Sequence, residues 1–171
     1  SNPTYKIVTE SKNLVLRRKP PGKLLPSAHA VDREYKVITA LYQTDVPVPK
    51  TYGLCENDEI AGTAFFVMDF LDGDLFWNPM IPSLSNQDRT EIYQNKNKTL
   101  ALLHGVDYKK IGLEDYGKPG NYVARQVARW SKQYRASETD DIEAMNNLID
   151  WLPKNIPDDD ETSIVHGDYR L

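Results

Sequence analysis

Apolar residues change their spacing part-way along this chain, and the change limits the folds open to it. Before residue 70 the pattern is strand-like around a single helix. Tyr5–Thr9 alternates, Glu10 to Asn13 supplies polar turn residues, and Leu14–Arg18 resumes a strand. Pro20-Pro21-Gly22 ends it, because proline cannot donate to a sheet ladder. Ser27 is the expected N-cap of a helix from Ala28 to about Tyr42. Val46-Pro47-Val48-Pro49 reads as an extended connector, and Thr63–Phe70 as a buried strand that Leu71-Asp72-Gly73-Asp74 breaks. Beyond that point the period is helical. Ser85 with Asp88 resembles a capping box opening a helix to about His104, with Ile92, Lys96, Leu100 and Leu103 along one side. Asn121 caps a helix to about Tyr134, and Ile142–Leu152 makes another before Pro153. Ile164-Val165 is expected to be a short buried strand leading into His166-Gly167-Asp168. The prediction is an α+β chain, a strand-rich lobe over 1–70 and a helical lobe over 71–171, rather than an alternating βαβ sheet.

Composition narrows the functions. Across 171 residues, 21 basic and 25 acidic side chains leave a net charge of −4, so the surface gains little from counterion release on nucleic acid or on an acidic membrane. With 40% hydrophobic and 27% charged residues the chain can build a core. The longest apolar run, Ala64 to Met68, is far too short to span a bilayer. A single cysteine, Cys55, excludes an internal disulfide and any multi-cysteine metal site, which fits a reducing, cytoplasmic setting. Ser1 to Tyr5 lacks the layout of a secretion signal, and no initiator methionine is present. Both ends read as cut through structured segments, so a fragment truncated at both ends is expected.

The helix at 28–42 carries an unusual carboxylate. Val31, Tyr35, Ile38 and Leu41 or Tyr42 form its apolar stripe, and Glu34 points into that stripe. The opposite face carries Asp32, Lys36 and Gln43, with Asp32 and Lys36 an expected i,i+4 pair. A carboxylate aimed at a core costs several kcal/mol unless a cation meets it. Arg17 and Arg18 project to opposite faces of the preceding strand, and alternation does not choose between them. A Glu34 at the stripe's margin with its head in water satisfies the same pattern.

His166-Gly167-Asp168 follows an apolar pair and so falls on a loop at the mouth of a core, where active sites gather. By itself the motif is also met as a loop with a structural histidine. An aspartate there can accept a proton from a substrate hydroxyl. Arg170 lies two residues on and faces the same way along extended chain, so one site holds a base and a fixed cation, a combination suited to transferring an anionic group such as phosphate. Other residues read more simply. His104 is expected to pack in the core, and His29 to lie on exposed surface although it could touch phosphate. Cys55 reads as a small hydrophobe, and Trp77, Trp130 and Trp151 as packing residues.

Five blocks in order carry a resemblance: Ser1-Asn2-Pro3-Thr4-Tyr5, Val15 through Gly22, Asp32-Arg33-Glu34-Tyr35, Phe66 through Phe70 and His166 through Leu171. Together they resemble the aminoglycoside phosphotransferase/choline kinase group, and more closely the kinase-like domain at the front of acyl-CoA dehydrogenase member 10 and 11 proteins; Lys23 through His29 and Arg125 through Tyr134 add to the closer match. The resemblance implies a two-lobed protein-kinase-like fold, truncated at both ends. It implies an ATP-binding magnesium kinase that phosphorylates a small-molecule hydroxyl. Ser1, Asn2 and Thr4 match the tail of the phosphate-covering loop. Arg17 matches the phosphate-holding cation, usually lysine in the wider fold, and Glu34 its helix partner. Met68 matches the residue gating the adenine pocket, with Asp69 and Leu71 offering backbone groups to adenine. Asp168 matches the catalytic aspartate, and Arg170 a cation against the γ-phosphate.

The family's metal-binding asparagine, five residues past the catalytic aspartate, and a later aspartate have no counterpart in 1–171, so no metal ligand is assigned and the piece by itself is expected to be inactive. On the helix at 121–134, Val123, Val127, Trp130 and Tyr134 form an apolar stripe, opposite Arg125, Arg129, Lys132 and Arg135. That basic side reads either as a solvated surface or as an anchor for the phosphates of coenzyme A; the resemblance implies hydroxyacyl-CoA as acceptor. The acidic run Asp158 to Glu161 is a poor polycation site and reads as a solubilising turn. One rival is a non-catalytic module that binds nucleotide or acyl-CoA and serves a partner dehydrogenase. A hydrolase or metal reading of His166 and Asp168 is weaker, because none of the three histidines pairs with another at ligand spacing. No nucleic-acid or membrane partner is expected.

Overall fold

The computed structural model describes residues 2–22, 29–158 and 161–171. Strand β1 (Thr4–Val8) and strand β2 (Asn13–Arg18) form an antiparallel hairpin with Thr4 opposite Arg17 and Val8 opposite Asn13. Its turn is closed by Thr9, whose amide and hydroxyl both donate to the Lys12 carbonyl. Helix α1 follows (Val31–Leu41), then β3 (Thr51–Cys55), the short α2 (Asp58–Ala61) and β4 (Phe65–Asp69). The four strands form one antiparallel sheet in the order β1-β2-β4-β3.

Three helices and a single 3-10 turn complete the described elements: α3 (Asn86–His104), α4 (Tyr122–Ser137), α5 (Glu143–Trp151) and the turn Leu152–Lys154. None of these helices is long and apolar enough to cross a membrane. Ser85 caps α3 as its spacing predicts, its hydroxyl oxygen accepting from the Asp88 amide.

The chain divides into two compact units, Ser1–Tyr116 with Ser163–Leu171, and Gly117–Thr162. The lobe boundary expected near residue 70 lies inside the first. In that unit, α1 covers one face of the sheet. Phe66, fully buried, meets the Tyr35 ring edge-on at a centroid distance of 6.0 Å, and Val31 is buried beside it in sequence terms on the same helix stripe. Burying a phenylalanine in this way stabilises by about 1.5–3 kcal/mol. Thr39 of α1 hydrogen-bonds Thr51 of β3 at 2.7 Å. A second cluster joins Leu41, Val46 and Leu103, with Leu102, Ile111 and Ile164 packed against it. The second unit sets the apolar stripe of α4 (Val123, Val127, Trp130, Tyr134) against Met145, Leu148, Ile149 and Leu152, leaving a groove of about 360 Å³ between them.

Several expectations need correcting. Ile164-Val165 joins no ladder among the described residues; Ile164 instead packs into the Leu41–Leu103 cluster while Val165 is 68% exposed. One apolar side chain in a helix-lined core satisfies that burial without a strand partner. β3 and α2 went unread. β3 is an edge strand with a register shift between Thr51 and Gly53, and its glycine and bulge erase the alternation that marks a strand. The Ser27 cap and the start of its helix fall outside the described residues; α1 begins at Val31 after Ala30. Lys36 pairs with Asp115 at 2.7 Å rather than with Asp32, since a loop carboxylate stands closer to α1's outer face. His104 is exposed at the last turn of α3, and Trp77, Trp130 and Trp151 are 93%, 55% and 56% exposed, so none of them is a core residue.

Candidate active site

Sheet register decides which arginine meets Glu34. Arg17 stands directly opposite Phe66, and cross-strand partners share a face, so Arg17 lies on the face that α1 covers. Arg18 is on the reverse face, where its Nε donates to the Thr63 hydroxyl at 3.1 Å. Arg17 Nε and Nη2 both donate to the Glu34 carboxylate, to Oε2 and to Oε1 at 3.1 Å, and Nη1 donates to the Thr4 hydroxyl at 3.0 Å. The two-point fork fixes the guanidinium's plane as well as its position. Both side chains remain about one-third accessible, 30% and 33%, so Glu34 is neither fully buried nor free in water.

Asn2 extends the network. It is the buried polar residue of the first unit, 5% exposed, and its Nδ2 donates to Glu34 Oε1 at 2.9 Å. Its Oδ1 lies 2.8 Å from His29 Nδ1. Thr4 Oγ1 donates to the Asn2 carbonyl while accepting from Arg17. Asn2, Thr4, Arg17, Glu34 and His29 therefore form one connected group. His29, expected on exposed surface, is instead half-buried and joined to Asn2. Ser1, named with the phosphate-covering loop, lies outside the described residues.

Of the other residues matched to an adenine pocket, Met68 is on the α1-covered face, two positions from Phe66 on β4. Asp69 ends that strand: its amide donates to the Lys50 carbonyl at 2.9 Å, and its Oδ1 accepts from the Tyr52 hydroxyl at 2.6 Å. Leu71 lies in the irregular segment after β4 and is 65% exposed.

Asp168 and Arg170 form a separate pair. Arg170 Nε and Nη2 reach the two Asp168 oxygens at 2.9 Å each, a fork like the first but 70% and 77% exposed. Gly167 supplies the turn between His166 and Asp168 with φ of +77°, a conformation side chains resist. Tyr169 ties the loop to α3 by donating to the Lys96 carbonyl at 3.2 Å. Among the described residues no contact joins Asp168 or Arg170 to the Arg17 group. Glu34 sits in the first turn of α1, and Ile164, four residues before Asp168, packs against the cluster that includes Leu41 at the other end of that helix.

Three of Arg17's five N–H groups are committed to Glu34 and Thr4, and the other two have no partner among the described residues, so a phosphate oxygen fits this donor set. No three His, Cys, Asp or Glu side chains gather among the described residues; magnesium in phosphate sites is held by one or two carboxylates with waters and substrate phosphates rather than by such a cluster.

A four-stranded antiparallel sheet, a helix bearing a glutamate forked to a strand arginine, and a helical continuation define the kinase-like architecture of small-molecule phosphotransferases. A family model described as the phosphotransferase enzyme family matches residues 1–171, and the chain belongs to that family. It is 47% identical over 171 residues to mouse acyl-CoA dehydrogenase family member 10, covering all of this chain and 16% of that protein. It is 45% identical over 172 residues to human acyl-CoA dehydrogenase family member 11, covering all of this chain and 22% of that one. A solved structure from Ralstonia eutropha JMP134, of a protein named there as a candidate aminoglycoside phosphotransferase, matches with a TM-score of 0.86 and 51% identity, over 100% of this chain and 50% of that chain. The chain thus spans half the length of that protein and under a quarter of the two dehydrogenase-named relatives.

Proposed function

We propose that this chain belongs to an ATP-dependent phosphotransferase acting on a small-molecule hydroxyl, with a hydroxyacyl-CoA as the acceptor. The observation that carries the reading is the forked Arg17–Glu34 pair, within a chain of the phosphotransferase family. The acceptor class draws on the two relatives named as acyl-CoA dehydrogenases.

In this reading residues 1–70 hold the nucleotide. Arg17's two uncommitted N–H groups meet phosphate oxygens, and Glu34 keeps the guanidinium turned toward them. Met68 borders the adenine, and the backbone of Asp69 and Leu71 faces its edge. Asp168 takes the proton of the acceptor hydroxyl as the new O–P bond forms and the bridging P–O bond to ADP breaks. Each Asp168 oxygen already accepts one Arg170 N–H and keeps a further lone pair for the hydroxyl. Arg170, with three N–H groups left, is placed to offset charge on the transferring group. Magnesium is implied by the class and when bound would offset charge on the nucleotide phosphates.

The basic side of α4 contributes less to acceptor binding than its sequence promises. Arg125 donates to the backbone carbonyls of Gly120 and Lys118, and Arg135 to Glu138 and Asn146, leaving Arg129 and Lys132 for an anionic handle.

Incubating the full-length gene product with γ-labelled ATP and a hydroxyacyl-CoA tests the reading. Label is expected in the acyl-CoA with the wild type, and a rate lower by about 10²–10⁴ with Asp168→Asn. ATP binding without transfer to any hydroxyl would instead favour the non-catalytic module.

A further inference from the structure

We infer that Asn2 and His29 are positioning residues for Arg17, and that Asn2 acts inward through Glu34 rather than outward on a phosphate. The inference rests on the nucleotide-binding reading of Arg17 and adds to it two residues with an assigned direction of hydrogen bonding.

The direction follows from which groups can donate. Glu34 Oε1 already accepts from Arg17 Nη2, and as a carboxylate it can only accept, so the Asn2 atom facing it at 2.9 Å is the Nδ2 donor. That fixes the amide, leaving Oδ1 toward His29. A carbonyl oxygen can only accept, so His29 Nδ1 carries the proton in this contact. The chain of donation therefore runs from His29 to Asn2 to Glu34, and Arg17 donates to that same carboxylate. With Asn2 95% enclosed and both ends of its amide occupied, little of it is left to touch a ligand.

Backbone conformation supports the same reading. His29 has φ of +61°, in the left-handed region that few non-glycine residues adopt and that histidine, asparagine and aspartate enter more readily than the rest. Its imidazole is thereby held over Asn2 just before α1 begins. Glu34 alone could swing on its flexible side chain; with Asn2 behind it, one carboxylate oxygen is held from two sides, and the guanidinium plane is fixed.

The test measures binding of a non-hydrolysable ATP analogue to the full-length gene product by calorimetry. Arg17→Ala serves as the control for the nucleotide reading, and thermal melting as the control for folding. Asn2→Asp is nearly isosteric, but it loses the donor and sets a second, enclosed carboxylate against Glu34; it is expected to weaken the analogue about tenfold and to lower the melting point, and binding is read well below that melting point. His29→Leu is expected to weaken it several-fold. His29→Asn is expected to restore most of the affinity, because its Nδ2 stands where His Nδ1 stood and asparagine tolerates the left-handed backbone. A merely structural role for His29 would leave the asparagine and leucine variants alike. If the wild type binds, Arg17→Ala does not, and both Asn2→Asp and His29→Leu bind as wild type, the inference is overturned and the nucleotide reading stands. If the wild type does not bind, or Arg17→Ala binds equally well, the nucleotide reading fails and the inference falls with it.

Discussion

Gly167 and Arg17 show how one residue's geometry decides what its neighbours can do. At Gly167 an added Cβ would meet nothing within 4 Å, so the demand for glycine comes from its φ of +77° and not from space. Gly167→Ala should therefore cost about 1–2 kcal/mol of stability by forcing the left-handed backbone. If the backbone relaxes instead, Asp168 and Arg170 lose their present fork, and transfer by the full-length protein falls by more than the stability loss accounts for. Urea denaturation checks the first outcome and label transfer the second. An unchanged midpoint together with an unchanged rate contradicts the account of this turn. The carboxylate of Glu34 was only half legible in the sequence, because an acid on an apolar stripe is met either by a cation or by a place at the stripe's margin with its head in water, and periodicity does not choose. Which arginine answers it was not legible either, since strand alternation has two solutions and only the Arg17–Phe66 register chooses. His29 was illegible for another reason. Its role depends on a backbone conformation and on Asn2, a residue distant in sequence, and neither leaves a local pattern.

Among elements, α1 carries the most. Its inner face holds Glu34, Tyr35 and Leu41, and its outer face ties down the loop at 113–116. Arg33 Nη2 donates to the Tyr116 carbonyl at 2.7 Å with its guanidinium 4.1 Å from that ring's centre, and Lys36 pairs with Asp115. The Lys36 hydrogen bond, then its charge, holds the Asp115 carboxyl below its ordinary value of 3.8. A depressed folded value means that the unfolded chain binds the proton more readily. The contribution is thus present above about pH 4 and is lost as pH falls through the lower folded value. Asp107 behaves likewise, chiefly through the backbone amide of Lys110. Asp115→Asn should lower stability slightly at neutral pH, leave it nearly unchanged in acid below the depressed folded value, and so flatten the acid limb of the stability–pH curve; an identical acid limb would show that the pair is not formed in solution. On the inner face, Phe66→Ala should destabilise by about 3–5 kcal/mol in urea denaturation, because no neighbouring chain can refill a site where the sheet and α1 meet. The strands and helices with clean periodicity were legible. β3 was lost to its bulge, and Ile164 was mistaken for a strand residue because a buried apolar pair reads alike in strand or coil.

At the scale of the molecule, the chain joins two kinds of pair. One, Arg17–Glu34, is partly enclosed and held by Asn2 and Thr4; the other, Asp168–Arg170, is open to solvent. That difference matches the parts proposed for them, a fixed clamp for phosphates and a base that must admit a bulky acceptor. The chain covers 50% of the Ralstonia protein and 16% to 22% of the dehydrogenase-named relatives. The most direct measurement of the central claim is a double-mutant cycle on nucleotide affinity with Arg17→Ala, Glu34→Ala and the pair. If Glu34 works only by holding Arg17 on the phosphates, each single change weakens binding about tenfold or more and the double change weakens it no further. Additive losses, or affinities indifferent to all three, would contradict it.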